Sequence, residues 1–244
     1  MARSTVVDEV TDRIAFQIAS GRLEAGESLP SIRRLAAEHG INPSTVQLVL
    51  GRLRTAGFVE ARHGVGVVVR DIQLYGGIET WRYLFRFSRR LPDLTVATVR
   101  DILETLRLFY DASLTKIAAD PAAYDATPAR RALGRLELLT GDGTVPAADV
   151  HKGVLQILRS SRAAVGGGVT LGVLNSLGAM LSEIPEVLDA LYADPAEHVW
   201  WWGQVLESWE TGDLERGRQT LALLDDWHVQ ALQRLRARLT ADPS

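Results

Sequence analysis

The chain has 244 residues, enough for one large or two modest domains, with the 46% hydrophobic and 23% charged content of an ordinary globular protein. It contains no cysteine, which excludes disulfides, thiolate zinc sites and cysteine nucleophiles and is compatible with a reducing cytoplasm. The net charge of −3 is unevenly placed: residues 1–70 hold nine arginines against seven acids, a net +2, which leaves −5 for the rest, so a local nucleic-acid patch is permitted but not required.

The N-terminus lacks the apolar core of a signal peptide. Ser4 or Thr5 is placed to cap a first helix, with Asp8, Glu9 and Asp12 in its early turns, where the helix dipole favours acids. Val6, Val10, Ile14 and Ile18 recur every fourth residue and form one apolar stripe. Gly21 ends the helix, and Gly26 and Pro30 mark a turn-rich connector. Ser31 caps a second helix near 31–38, with Ile32, Leu35 and Ala36 facing inward and His39-Gly40 closing it. Asn42 caps a third, with Pro43 at its first position, where a missing N–H costs nothing. Val46, Val49, Leu50 and Leu53 give its buried stripe, and Gly57 stops it. Residues 58–60 and 66–69 are short β runs joined through Arg62, His63 and Gly64.

Three helices and a β-wing make a winged helix-turn-helix. A short, cleanly capped third helix can present its first turns to base edges in a major groove about 12 Å wide. Asn42, Ser44, Thr45 and Gln47 occupy those turns; glutamine can pair with adenine, and the threonine methyl can touch thymine. Arg33, Arg34, Arg52, Arg54 and Arg62, with the His63-Gly64 tip, are placed for phosphates or the minor groove, though each arginine also suits a solvated face.

These residues resemble the DNA-binding domain of the GntR superfamily of bacterial repressors. The resemblance covers 12–69 and rests on Ile18, Gly21, Leu23, Gly26, Leu29-Pro30-Ser31, Arg33-Arg34-Leu35-Ala36, Asn42-Pro43-Ser44-Thr45-Val46, Leu53, Gly57-Phe58-Val59 and the Gly64–Val69 wing at fixed spacing. Many members carry arginine where this chain has Pro43 and Gln47, so base reading here is expected to be less centred on guanine.

Residues 71–77, ending in a glycine pair, read as a linker between a head at 1–70 and a second domain at 78–244. That domain opens with an apolar, aromatic stretch holding Trp81, Tyr83, Leu84, Phe85 and Phe87. Helices are then expected at 95–119, 128–139, 147–160, 169–184, 185–192, 195–211 and 214–240, separated by Gly-, Asp- and Pro-rich turns. With no strand pattern this is an all-α bundle of about six or seven helices, and the fold class is mainly α. Residues 163–182 carry no charge, but five glycines there favour a loop and a buried helix over a membrane span.

The second domain resembles the effector domain of the FadR branch of GntR regulators through Ile78-Glu79-Thr80, Asp101 with Leu106-Arg107, Asp149-Val150-His151 and Gly212-Asp213. The resemblance implies a homodimer with a small-molecule pocket in each bundle. Many members hold a metal there with one Asp and three His and bind a carboxylate on it. Here His151 stands where the first histidine falls, but Ala147 replaces the aspartate and Trp202 another histidine, so no metal is expected. His151 and His198 would be the ligands of any displaced site; otherwise His151 is a half-buried polar residue. Acyl-CoA-responsive members also lack the metal. Trp200, Trp201, Trp202 and Trp209, with Phe109 and Tyr110, would suit an apolar chain or ring, or would be ordinary core. Arg107 would anchor an acidic head group, or would pair with Asp101, Glu104 or Asp111.

No phosphate-binding glycine loop, catalytic triad or paired-carboxylate arrangement is present, and the two lysines, Lys116 and Lys152, sit in no cofactor motif, so an enzyme is not expected. The expectation is a cytoplasmic, nucleoid-associated, ligand-responsive repressor. As a homodimer it binds a pseudo-palindrome in double-stranded DNA and is released by an acyl-CoA or a carboxylate, with no cofactor and no membrane. The alternatives are a metal-bound carboxylate effector, or an acyl- or metal-binding protein whose winged helix mediates protein contacts.

Overall fold

The computed structural model describes residues 5–141 and 144–241, and the chain divides into two compact units, Met1–Leu91 and Pro92–Ser244. Ser4 and part of the 140–146 loop lie outside the described residues.

In the first unit, α1 (Val6–Ala19) starts from a reciprocal cap: the Thr5 hydroxyl accepts from the Asp8 N–H, and the Asp8 carboxylate accepts from the Thr5 N–H at 3.0 Å. Val10, Ile14 and Ile18 are buried as their spacing requires, whereas Val6, at the fraying end of the stripe, is exposed. Helix α2 (Ile32–His39) is capped by Ser31 and stopped by Gly40 at φ 63°. Helix α3 (Pro43–Thr55) follows, and Leu35, Ala36 and Val46 form a small core with Ile32, Ile41 and Leu50 packed against it. Strands β1 (Val59–Arg62) and β2 (Gly66–Val69) pair antiparallel with Val59 opposite Val69.

The connector before α2 does more than turn. The Gly26 and Leu29 N–H groups donate to the Val69 and Val67 carbonyls (2.9 and 2.8 Å), and the Val69 N–H returns a bond to Glu27 O (2.9 Å). It covers the free edge of β2 and leaves no bare strand there.

The expected linker is also structured. Asp71 caps a one-turn helix α4 (Ile72–Tyr75), and α5 (Ile78–Leu84) runs into a 3-10 turn at Phe85–Phe87. This segment packs on the head, so the boundary falls after Leu91 instead of at 71–77. The physical reason is aromatic. Tyr83 packs edge-on to Phe58 (5.3 Å) and Phe87 edge-on to Phe16 (5.5 Å), and the Tyr83 hydroxyl donates to Asp12 at 2.5 Å. Gly57, at φ +83°, lies so close to Thr80 that a Cβ there would meet its hydroxyl at 2.5 Å.

The second unit is built from α6 (Pro92–Ala119), α7 (Thr127–Gly141), α8 (Ala147–Ala164), α9 (Gly168–Leu181), α10 (Pro185–Leu191), α11 (Pro195–Thr211) and α12 (Leu214–Thr240). The fold is mainly α, with the wing as the one sheet among the described residues. The long helices α6 and α12 pack together, as do α7 and α8. At the crossing of α8 and α9 a Cβ on Gly178 would meet the Leu155 side chain at 2.6 Å, so any larger residue there would force Leu155 to shift. No helix of the described residues is long and apolar enough to cross a membrane.

Candidate nucleic-acid interface and the cavities of the helical unit

The start of α3 is pre-ordered by one oxygen. Asn42 Oδ1 accepts from the Thr45 N–H (2.8 Å), the Ser44 hydroxyl (2.6 Å) and the Thr45 hydroxyl (2.9 Å). Asn42 is thus a positioning residue, and the two hydroxyls keep their lone pairs free to accept from a base amino group. Gln47 is exposed beyond them. Leu48, 62% exposed, was not predicted; an apolar side chain outside the buried stripe of a recognition helix can cover a thymine methyl. The one signal for it in the sequence is that it falls out of phase with Val46, Val49 and Leu53.

The arginines divide into two groups. Arg34 pairs with Glu38 (2.8 Å), Arg62 with Glu60 (2.7 Å) and Arg52 with Asp8. The Thr5 hydroxyl and N–H, then Arg52, hold the Asp8 carboxyl down at about 2. These pairs are exposed, weakened by solvent screening, and open to exchange for phosphate. Arg33 and Arg54 are exposed with no carboxylate partner among the described residues. Arg54 and Gln47 line a cleft between α3 and the wing. His63 and Gly64 form the exposed tip, with Gly64 at φ +75° and Val65, 60% exposed, beside them.

Two adjoining cavities lie inside the helical unit, of ≈ 70 and ≈ 50 Å³, sharing Tyr110, Leu158, Trp201 and Trp202. Of the predicted ligand residues, Tyr110, His151 and Trp202 line the first, and Phe109, Tyr110 and Trp202 the second. Arg107 lines neither. It pairs with Asp111 (3.0 Å) and Asp225 (3.6 Å), so its charge is already balanced within the protein. Trp200 is 51% exposed and takes no part, whereas Trp201 and Trp209 are buried with their indole N–H groups on the Thr220 and Tyr124 carbonyls.

His151 is 3% exposed rather than half-buried. Its Nε2 faces the Gly178 carbonyl (2.9 Å), an acceptor only, so Nε2 carries the proton; Nδ1 then accepts from the Tyr192 hydroxyl (2.8 Å). Both nitrogens are committed, which leaves no lone pair for a metal. His198 donates from Nε2 to Leu191 O (3.0 Å) between the rings of Tyr192 (4.7 Å) and Trp227 (5.5 Å). Burial pushes both histidines below the ordinary value, and His228, on the same cavity, down to about 4. No three His, Asp or Glu residues form a metal-holding cluster among the described residues.

A winged helix-turn-helix joined in one chain to an all-helical unit with internal cavities defines a class of helix-turn-helix regulator. The profile described as "Bacterial regulatory proteins, gntR family" matches residues 6–69. The HTH-type transcriptional regulator Mce2R of Mycobacterium tuberculosis is 37% identical over 121 residues, 49% of this chain and 48% of that protein, so the match spans about half of it. The uncharacterized HTH-type transcriptional regulator YhcF of Bacillus subtilis is 30% identical over 105 residues, covering 41% of this chain and 86% of YhcF. The chain belongs to the gntR family. Among solved structures, that of Lar, described as controlling expression of the Listeria monocytogenes agr system, matches with TM-score 0.57 over 96% of this chain and 99% of that one. At 16% identity this is a likeness of fold.

Proposed function

We propose that the chain is a transcriptional repressor that binds operator DNA through its head as a homodimer and responds to a small molecule held in the helical unit, in the manner of the FadR branch. The observation that carries the DNA reading is the pre-ordered, solvent-facing start of α3 in a head that also carries two exposed arginines, Arg33 and Arg54, without carboxylate partners among the described residues. Two heads would read a pseudo-palindrome with half-sites about one helical turn apart, in the cytoplasm where the DNA is. Arg33, Arg34, Arg52, Arg54 and Arg62 would meet phosphates, His63 and Gly64 the minor groove, and Ser44, Thr45, Gln47 and Leu48 the base edges. The reading is of a binding protein, not an enzyme.

For the effector, cavities of ≈ 70 and ≈ 50 Å³ favour a small carboxylate over a long acyl chain, and the saturated His151 disfavours delivery of that carboxylate by a metal. If ligand weakens DNA binding, operator DNA must weaken ligand binding by the same factor. A mobility-shift titration with the DNA upstream of the chain's own gene tests the proposal. A specific complex that survives competitor DNA at moderate salt is expected. Equal affinity for operator and random DNA, or no shift, overturns it.

A further inference from the structure

We propose that Arg162 is the anion anchor of the second cavity and that this cavity takes a small carboxylic acid with a flat or short apolar body. This deepens the effector reading above and rests on it only for the consequence for DNA.

Several arginines of the helical unit are balanced by carboxylates, and Arg162, like Arg159 on Asn175 and Arg234 on Ala190 O, is among those that are not. In the same unit Arg107 lies against Asp111 and Asp225, Arg130 against Glu210, and Arg216 against Glu207. Arg162 has no carboxylate partner among the described residues. Of its five N–H donors one is used, from Nη1 to the Ser113 hydroxyl at 3.1 Å. That hydroxyl is itself committed as a donor to Phe109 O (2.8 Å) and supplies no negative charge. Nε is sealed from solvent with no partner. A guanidinium held this way against an apolar wall is costly unless an anion balances it.

The rest of the lining says what that anion is attached to. Phe109, Ile117, Leu174, Trp202 and Trp209 surround Arg162 and Ser113, so one charged end faces an aromatic and aliphatic body. Helix α9 starts beside the guanidinium. Its cap, Gly167 at φ +104°, makes no side-chain cap bond, and a Cβ there would lie 3.0 Å from Nη2. A larger residue would crowd the group that the anion has to reach. Size sets the remaining limit. The two cavities together offer about 120 Å³, near the roughly 150 Å³ of an engineered cavity that takes benzene. A ring or short chain fits if the Tyr110–Trp202 partition between them turns aside. Tyr110 is half-buried, its hydroxyl has no hydrogen-bond partner among the described residues, and its ring meets Trp202 edge-on at 5.8 Å. Its hydroxyl is therefore free to turn toward a ligand.

The test uses the full chain with benzoate and hexanoate as probes and benzamide and hexanol as their uncharged counterparts, read by calorimetry and by tryptophan fluorescence. Saturable binding of at least one carboxylate is expected, at least tenfold tighter than its uncharged counterpart. Arg162→Gln should abolish that preference, whereas Arg130→Gln, which lines neither cavity, should leave it within twofold. If Arg162→Gln does not fold, the wild-type preference for carboxylate and a several-fold loss in Ser113→Ala carry the decision. No saturable carboxylate binding, equal binding of charged and uncharged probes, or loss in Arg130→Gln with Arg162→Gln intact each overturns the site. Benzoate or hexanoate that binds through Arg162 without changing DNA affinity leaves the site standing and removes the effector reading.

Discussion

The head and the helical unit solve opposite problems with arginine. In the head, Arg33 and Arg54 face solvent, where an unpaired guanidinium costs little and waits for phosphate. In the helical unit, Arg107 is neutralised by two aspartates, and Arg162, partly buried against apolar walls, has one hydroxyl for company. The same side chain is thus a surface reader in one unit and a half-buried anchor in the other. Recognition on the surface is built from short local runs of sequence. Recognition in the interior is built from residues on different helices, with a stability cost that a ligand can offset.

Perturbations should separate the two units. The largest effect is expected from Trp201→Ala, which removes a wall of both cavities: 3–5 kcal/mol of stability lost, about the full cost of emptying a buried aromatic, read by denaturant unfolding. If the units are energetically separate, a second transition belonging to the head should keep its midpoint; a shift of both together breaks the comparison.

Acid comes next. His151, His198 and His228 are held neutral below the ordinary 6.5, His228 to about 4. Between pH 6.5 and 4 the unfolded chain takes up protons that the folded unit refuses. This stability is fully present above 6.5 and is lost as pH falls through that window, by about 2 kcal/mol or more. A melting temperature that does not fall between pH 6.5 and 5, or falls equally in His228→Gln, contradicts the assignment.

Tyr83→Phe should cost about 1–2 kcal/mol by leaving Asp12 short of a donor, and the loss should appear in the head, since Tyr83 packs on α1 and Phe58. Loss confined to the helical unit would return 78–91 to the second domain. Asn42→Ala should cost about 1 kcal/mol as a lost cap and loosen Ser44 and Thr45, so operator affinity should drop more than stability does.

How much was legible follows the same division. The caps Thr5, Ser31 and Asn42 and the stop at Gly40 could be read from the sequence because each is set by neighbours within four residues, and the wing because its two paired runs are joined by a short tip. The helices of the second unit were legible for the same reason. The 71–77 segment was not: a glycine pair reads as a boundary, but Asp71 caps a turn and the aromatic cluster on α1 holds 78–91 to the head. The cavity-lining residues were half legible. Tyr110 and Trp202 announce themselves by type, but the choice between Arg107 and Arg162 depends on which carboxylates lie across helix interfaces, and spacing along one helix cannot supply that.

The central claim is that the head binds DNA through its unpaired arginines. It is tested most directly by measuring affinity for the operator as a function of salt in the wild type and in Arg33→Ala/Arg54→Ala. The wild type should lose affinity steeply, and the double variant should bind more weakly with a slope shallower by about 0.9 for each phosphate contact removed. An unchanged slope and affinity would contradict it and put a different face of the head on the DNA.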